Sequence, residues 1–225
     1  MSVVLPESYD KRSLTYRLHD AVSYTERDDT CLVETYAGQC SSEQLSECAL
    51  LDLSGIHRTG LRGKQAEKVL AQEGLPFPEK PNLVSISDKG AMVARLGSTE
   101  SWVLDNPLQD ISGLGMLELR VLNEPGCYPL YCQHSHIWFA LTGRYLPELM
   151  AKICGVDLRE EAFPLGSIVQ TSVARVGAII IHHQLKGLPV FSIMSDSSSA
   201  EYLWHALMDA MQEFQGKPVG LGTFS

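Results

Sequence analysis

The sequence predicts an α+β fold with antiparallel sheets, in which one strand–turn–helix unit is used twice. Three observations carry this. Ser54-Gly-Ile56, running through Leu61 to Gly63 and then Lys64-Gln-Ala-Glu-Lys-Val-Leu70, is echoed about eighty residues later by Ser135-His-Ile137, running through Leu141 to Gly143 and then Arg144-Tyr-Leu-Pro-Glu-Leu-Met150. Short apolar runs are separated by hairpin-type turns at Asp88-Lys-Gly90 and Lys186-Gly187, which suits antiparallel pairing rather than a wound parallel sheet. Near the end, Leu203, Leu207, Met211 and Phe214 recur at helical spacing. With 225 residues, 44% of them apolar, the chain can bury a real core.

Residues 1 to about 30 are polar and weakly patterned, with Glu26-Arg-Asp-Asp29 reading as a solvated turn. Cys31 to Tyr36 reads as a strand. Ser41-Ser-Glu-Gln44 has capping-box spacing ahead of Leu45, Cys48 and Ala49, which predicts a short helix. Leu50 to Ser54 and Arg58 to Arg62 read as extended chain ending at Gly63. The next helix places Ala66, Val69 and Leu70 on one face and stops near Gly74, before the stiff connector Pro76, Pro78 and Pro81. Leu83–Ile86, Ala91–Leu96 and Ser101–Leu104 follow as strands, and Asp105 to Gly115 as a loop. Leu117-Glu-Leu-Arg-Val-Leu122 alternates apolar and polar over its first five residues and predicts an edge strand.

The second copy gives a strand over 135–141 and a helix over 144–153, then strands over 168–173, 177–182 and 188–194. Ser198 with Glu201 three residues on predicts the cap of the last helix, which should stop near Gly216-Lys-Pro218. The tail, Val219 to Ser225, is expected to be mobile unless a partner clamps it. The organisation expected is one domain of two halves, about 45–110 and 117–215, behind an N-terminal extension of residues 1–40.

Net charge is −9 and pI about 5.2, and Arg58, Arg62, Lys64 and Lys68 are interleaved with Glu67 and apolar residues. No basic face emerges, which disfavours nucleic acid and anionic lipid as partners. The start, Met1-Ser-Val-Val-Leu-Pro-Glu, lacks signal-peptide architecture, and the longest nearly apolar run, Val176 to Ile181, is too short to cross a bilayer. Six scattered cysteines read as reduced thiols, so the expected location is the cytoplasm.

Candidate chemistry is sparse. Gly60-Leu-Arg-Gly63-Lys64-Gln65 has two residues, not four, between its glycines, and Gln65 stands where a phosphate loop needs Ser or Thr. Gly113-Leu-Gly115 lacks the third glycine of a dinucleotide fingerprint. Cys127, Cys132, His134 and His136 are the metal candidates. If 132–136 is extended, Cys132, His134 and His136 share a face, and thiolate and imidazole suit zinc. Ligands two residues apart on a strand, about 7 Å at ~3.3 Å per residue, do not converge without a turn. Buried thiols and hydrogen-bonded histidines are therefore the plainer reading. His182 and His183 point to opposite faces.

No G-x-S-x-G nucleophile elbow occurs. Asp52, ending an apolar run, is either a partly buried carboxylate with a raised pKa or a turn former bonded to the backbone near Ser54, and the second is preferred. Asp157 takes the same two readings. Trp102 and Trp138 read first as core and second as walls of a site.

Leu51-Asp-Leu-Ser54 followed by a strand, Gly63 and a helix resembles the opening of the glycine-cleavage T-protein (aminomethyltransferase) fold, and Arg95-Leu-Gly97 with Trp102-Val-Leu104 looks like a signature of its smallest relatives. His134-Ser-His136, Leu141-Thr-Gly143, Ile153-Cys154, Val156-Asp-Leu158, Ala162-Phe-Pro164, Gly166, Gln170-Thr171 and Leu203-Trp204 together resemble the gamma-subunit family of heterotetrameric sarcosine oxidases, over about residues 45–214. The resemblance implies a folate-binding-type fold. In aminomethyltransferases a carboxylate after the first-half hairpin assists transfer, and a second-half Glu grips the pterin. The corresponding stretches here, Lys89 to Arg95 and Gln184 to Pro189, hold no acid. No catalytic residue is therefore carried over.

The resemblance implies a non-catalytic assembly subunit of a heteromeric oxidase that demethylates N-methyl amino acids. Flavin and tetrahydrofolate would sit on larger partner subunits, and no cofactor on this chain. The alternative is a stand-alone folate-binding aminomethyltransferase-like protein, with Asp52 or Asp88 standing in for the missing acids and tetrahydrofolate bound here. A metal or redox module built on Cys127, Cys132, His134 and His136 is the third reading.

Overall fold

The computed structural model describes residues 4–27, 29–38, 42–109 and 114–224. These form two compact units: unit 1 comprises 1–55, 136–165 and 169–225, and unit 2 comprises 56–135 and 166–168. Ser41 of the capping box, Cys40, Asp28, Gly113, the extreme start and Ser225 lie outside the described residues.

Unit 2 carries a five-stranded sheet in the order β6-β7-β8-β5-β9. Its strands are β5 (Arg58–Gly63), β6 (Leu83–Ile86), β7 (Met92–Arg95), β8 (Glu100–Leu104) and β9 (Cys127–Leu130), with helices α2 (Ala66–Gln72) and α3 (Leu114–Asn123) and the single turn α4 (Cys132–Ser135). Leu61, Val93 and Val103 of the sheet meet Val69 and Leu70 of α2 and Leu117 and Val121 of α3 in a buried cluster. Gly90 at φ +88° makes the β6–β7 turn expected at Asp88-Lys-Gly90.

Unit 1 repeats that order of elements: β10 (His136–Thr142), α5 (Leu146–Ala151), β11 (Ile168–Val173), β12 (Val176–Leu185), β13 (Leu188–Asp196), α6 (Ala200–Met211) and the two-residue β14 (Lys217–Pro218). The sheet order is β11-β12-β13-β10-β4-β14. Here β4 (Ala49–Asp52), preceded by α1 (Ser42–Glu47), takes the place beside β10 that β9 takes beside β5. Each copy's leading strand thus pairs in the other copy's sheet. The cluster around Phe139, Phe191 and Ile193 is covered by Leu149 and Met150 of α5 and by Leu203, Trp204 and Leu207 of α6. Lys186 (φ 48°) and Gly187 (φ 80°) have the left-handed pair expected of a tight hairpin. A second, three-stranded sheet of unit 1, in the order β1-β3-β2, is made by β1 (Lys11–Arg12), β2 (Ala21–Arg27) and β3 (Thr30–Tyr36).

Five local expectations are corrected. Residues 117–122 are helix, because Leu114, Leu117 and Val121 bury one side at spacings of three and four, a pattern longer than the five-residue alternation. Ala21–Arg27 is a strand paired to β3 rather than weakly patterned chain. Residues 132–135 turn back on Tyr131 O, which accepts from His134 N and Ser135 N, so the stretch before β10 is not extended. Ser198 does not cap the last helix: a 3₁₀ turn over Ser197–Ser199 leads into it, capped by Asp196, which accepts from Ser198 N at 2.8 Å and Ser198 Oγ at 2.6 Å, and α6 starts behind Ser199. The tail is fastened: Val219 N donates to Leu50 O at 2.9 Å, and Val219 and Phe224 are buried.

Candidate functional site

The most highly organised polar cluster lies in unit 1, where β4 ends. Asp52 has a side chain 1% exposed. Its Oδ1 accepts from Ser54 N at 2.9 Å, the turn-forming bond expected from its place after an apolar run. Its Oδ2 collects three donors from the N-terminal segment: Ser13 Oγ, Thr15 Oγ1 at 2.7 Å and His19 Nε2 at 3.3 Å. His19 follows a 3₁₀ turn over Tyr16–Leu18, which brings residues 13–19 back onto one point. Its ring packs between Tyr36 and Trp204, with centroids 5.8 and 4.6 Å away. Beside the cluster is a cavity of about 10 Å³, the size of one water.

Burial alone would raise the Asp52 carboxyl, as one sequence reading expects, but the bonds from His19, Ser13 and Thr15 outweigh it and hold it at about 2. The expected direction is thus reversed. The cluster is a fastening rather than a reaction centre, because no lone pair of the carboxylate faces solvent. Sequence reading named Asp52 but missed Ser13, Thr15 and His19.

A second buried chain runs across unit 1. Trp138 Nε1 donates to Ser192 Oγ at 2.8 Å, and that hydroxyl meets His183 Nε2 at 2.7 Å. Indole can only donate, so Ser192 Oγ accepts from Trp138 and shares its other bond with the neutral His183 ring. Burial holds the His183 pKa down at about 4. The unfolded chain takes up a proton near 6.5, so stability is complete above that pH and is lost as pH falls towards 4. The loss is about 3 kcal/mol. Urea unfolding at pH 7 and pH 4.5 should show most of it, and His183→Gln should flatten the difference. An equally steep loss in that variant would place the titration elsewhere.

The four metal candidates do not come together. Cys127 and Cys132 are buried at 5% and 2% exposure, His134 is exposed and His136 half-buried. Because 132–135 is a helical turn, Cys132 and His134 face different sides. Burial pushes the Cys132 thiol up to about 12 against a smaller lowering by Arg58, and raises Cys127 too, so neither is a ready thiolate. Among the described residues, no group of three His, Cys, Asp or Glu side chains is placed to hold an ion.

Asp157 is exposed and bonded to Arg159 N and its guanidinium, which holds its carboxyl at about 2. Trp102 and Trp138 are core, at 4% and 0% exposure. His182 Nδ1 lies 2.8 Å from Phe163 O, on the opposite face of β12 from His183. Gln184 to Pro189, the second stretch the resemblance singles out, is the β12–β13 turn. Lys89 to Arg95 leads from an exposed turn into β7, and Asp88 is exposed in that turn.

No protein-family model matches the chain. Among curated proteins it is similar to sarcosine oxidase subunit gamma from Corynebacterium sp. (strain P-1), 26% identical over 177 residues, which is 78% of this chain and 83% of that one. Its fold is that of a chain of the heterotetrameric sarcosine oxidase from Corynebacterium sp. U-96, solved in complex with pyrrole 2-carboxylate. The TM-score is 0.64 at 22% identity, over 74% of this chain and 85% of that chain. The glycine cleavage system aminomethyltransferase T from Bartonella henselae gives a TM-score of 0.70 at 16% identity, covering 95% of this chain and 60% of that one. The α+β fold and both resemblances read from the motifs are borne out.

Proposed function

We propose that this chain is a non-catalytic assembly subunit of a heteromeric oxidase of the sarcosine oxidase type, with oxidative demethylation carried out on partner chains. The observation that carries this is the similarity to a gamma subunit over most of both lengths. The acids a folate-handling relative would need are absent from Lys89 to Arg95 and from Gln184 to Pro189; of the two substitutes, Asp52 is buried and fully engaged, and Asp88 is exposed in the β6–β7 turn. A pterin's amidine-like edge requires a paired acceptor, and without one the binding should be weak. Flavin and tetrahydrofolate are accordingly assigned to the larger partner chains. Five described cysteines are unpaired and buried, in keeping with a reducing cytoplasm. No helix among the described residues is long and apolar enough to cross a membrane.

Affinity isolation from the native host tests the reading. Larger flavin-containing subunits should co-elute in fixed ratio, and a monomer eluting without them would remove the proposal. Titration calorimetry of the isolated chain with tetrahydrofolate should give no heat at high micromolar ligand; saturable heat would move the reading to a folate-binding protein.

A further inference from the structure

We propose that the outer face of α3 in unit 2 is the surface on which a different polypeptide docks, one bringing an apolar ridge and a rim free of excess negative charge. This deepens the assembly reading and rests on it. Met116, Leu119 and Leu122 are 61%, 56% and 62% exposed, and their spacing of three lines them up along one stripe. The opposite side of the helix, Leu114, Leu117 and Val121, is already spent in the core of its own unit. The stripe is therefore a second apolar face that folding does not use.

The molecule contains its own control. In unit 1, α6 follows β13 as α3 follows β8, and it likewise covers its sheet with one buried face. Yet the exposed positions of α6 are Glu201, Tyr202, His205 and Asp209. Helices with the same place in the chain order and the same core role thus differ in what they show to solvent. Scattered apolar residues on a surface need no explanation, but three in a row on one helix mark an interaction surface.

Charge selects the occupant. Along one flank of α3, Arg120 is paired with Glu73, and Lys68 with Glu124 at 2.8 Å. On the other, Glu118 lies 3.3 Å from His57. The two rim cations are already paired within the unit, and Glu118 faces an imidazole rather than a fixed cation, so among the described residues the stripe asks for apolar contact and offers no unpaired rim cation to an acidic partner. An apolar centre inside a polar rim is the anatomy of a protein–protein interface. A second copy would set −9 against −9, which disfavours self-association.

The test is co-expression of the full chain with the host's larger oxidase subunits, comparing wild type with Leu119→Glu plus Leu122→Glu. We expect at least a tenfold loss of co-purified partner and an unchanged melting temperature for the lone chain, while Tyr202→Glu on α6 leaves co-purification intact. Should the double glutamate unfold, Leu119→Ser plus Leu122→Ser replaces it, with the same loss expected. Full retention of partner by a folded stripe variant overturns the docking surface and leaves the assembly reading standing. If wild type captures no larger subunit, both fall. If wild type is instead a dimer that the variant converts to monomer, the occupant is a second copy and the proposal is wrong.

Discussion

Asp52→Ala should lower the stability of the chain by about 4 kcal/mol, the range for removing one partner from a buried charged cluster. The size follows from what is left behind. Ser13, Thr15, His19 and the Ser54 amide all donate to this one carboxylate, and the side chains of Asp52 and His19 are 1% and 0% exposed, so water cannot simply take its place. Asp52→Asn keeps the shape and an acceptor for Ser54 N, but presents an amide N–H₂ or a neutral oxygen to three donors, and should cost about half as much. Denaturant midpoints decide between these values. A loss below 1 kcal/mol for the alanine variant would mean that the cluster is not the fastening of residues 13–19. Limited proteolysis gives a second readout, because cleavage within 13–19 should accelerate in both variants.

The same carboxylate sets an acid limit. Its folded pKa of about 2 lies below the ordinary 3.8, so the stability it supplies is complete above pH 4 and is lost as pH falls through 2. That amounts to about 2 kcal/mol. The gap between wild type and Asp52→Asn should therefore narrow below pH 4. This window lies below that of His183, so the two titrations separate along the pH axis.

What the sequence showed, and what it hid, divides by distance along the chain. The repeated strand–glycine–helix unit, the Asp88-Lys-Gly90 and Lys186-Gly187 turns and the last helix are local patterns, and the fold follows them. The helix α3 was hidden because Leu117-Glu-Leu-Arg-Val alternates like a strand. Only Leu114, three residues upstream, restores the helical period. The Asp52 cluster was hidden more deeply. Ser13 and Thr15 are 39 and 37 residues from it, of ordinary polar type, and in a stretch without periodicity. Burial of Asp52 was legible from the apolar run before it, whereas its partners were not. That is why the less favoured reading, a raised pKa, has the wrong sign, while the turn-forming bond to Ser54 N is found. The exchange of β4 and β9 between copies is likewise non-local, since nothing in either strand names its partner.

Gly63 and Gly143, the glycines at matching places in the two copies of the repeat, should be among the least replaceable positions in the chain. Both have left-handed backbone, at φ 145° and 123°. In each copy the glycine closes the central strand where the backbone entering the exchanged strand passes. A Cβ on Gly63 would run into Gly126 O ahead of β9, and one on Gly143 into Glu47 O ahead of β4, both closer than the 3.0 Å that real Cβ atoms respect. The obstacle is backbone in both places, so no side chain can swing away. Gly143→Ala and Gly63→Ala should each cost on the order of 4 kcal/mol, adding overlap to conformational strain. Gly74, at φ +69° with nothing within 4 Å of its Cβ position, isolates the strain, and Gly74→Ala should cost only about 1 kcal/mol. If all three variants unfold at the same denaturant concentration, close approach of the exchanged strand is not what holds these glycines. The equivalence of the two copies would then rest on the order of their elements alone.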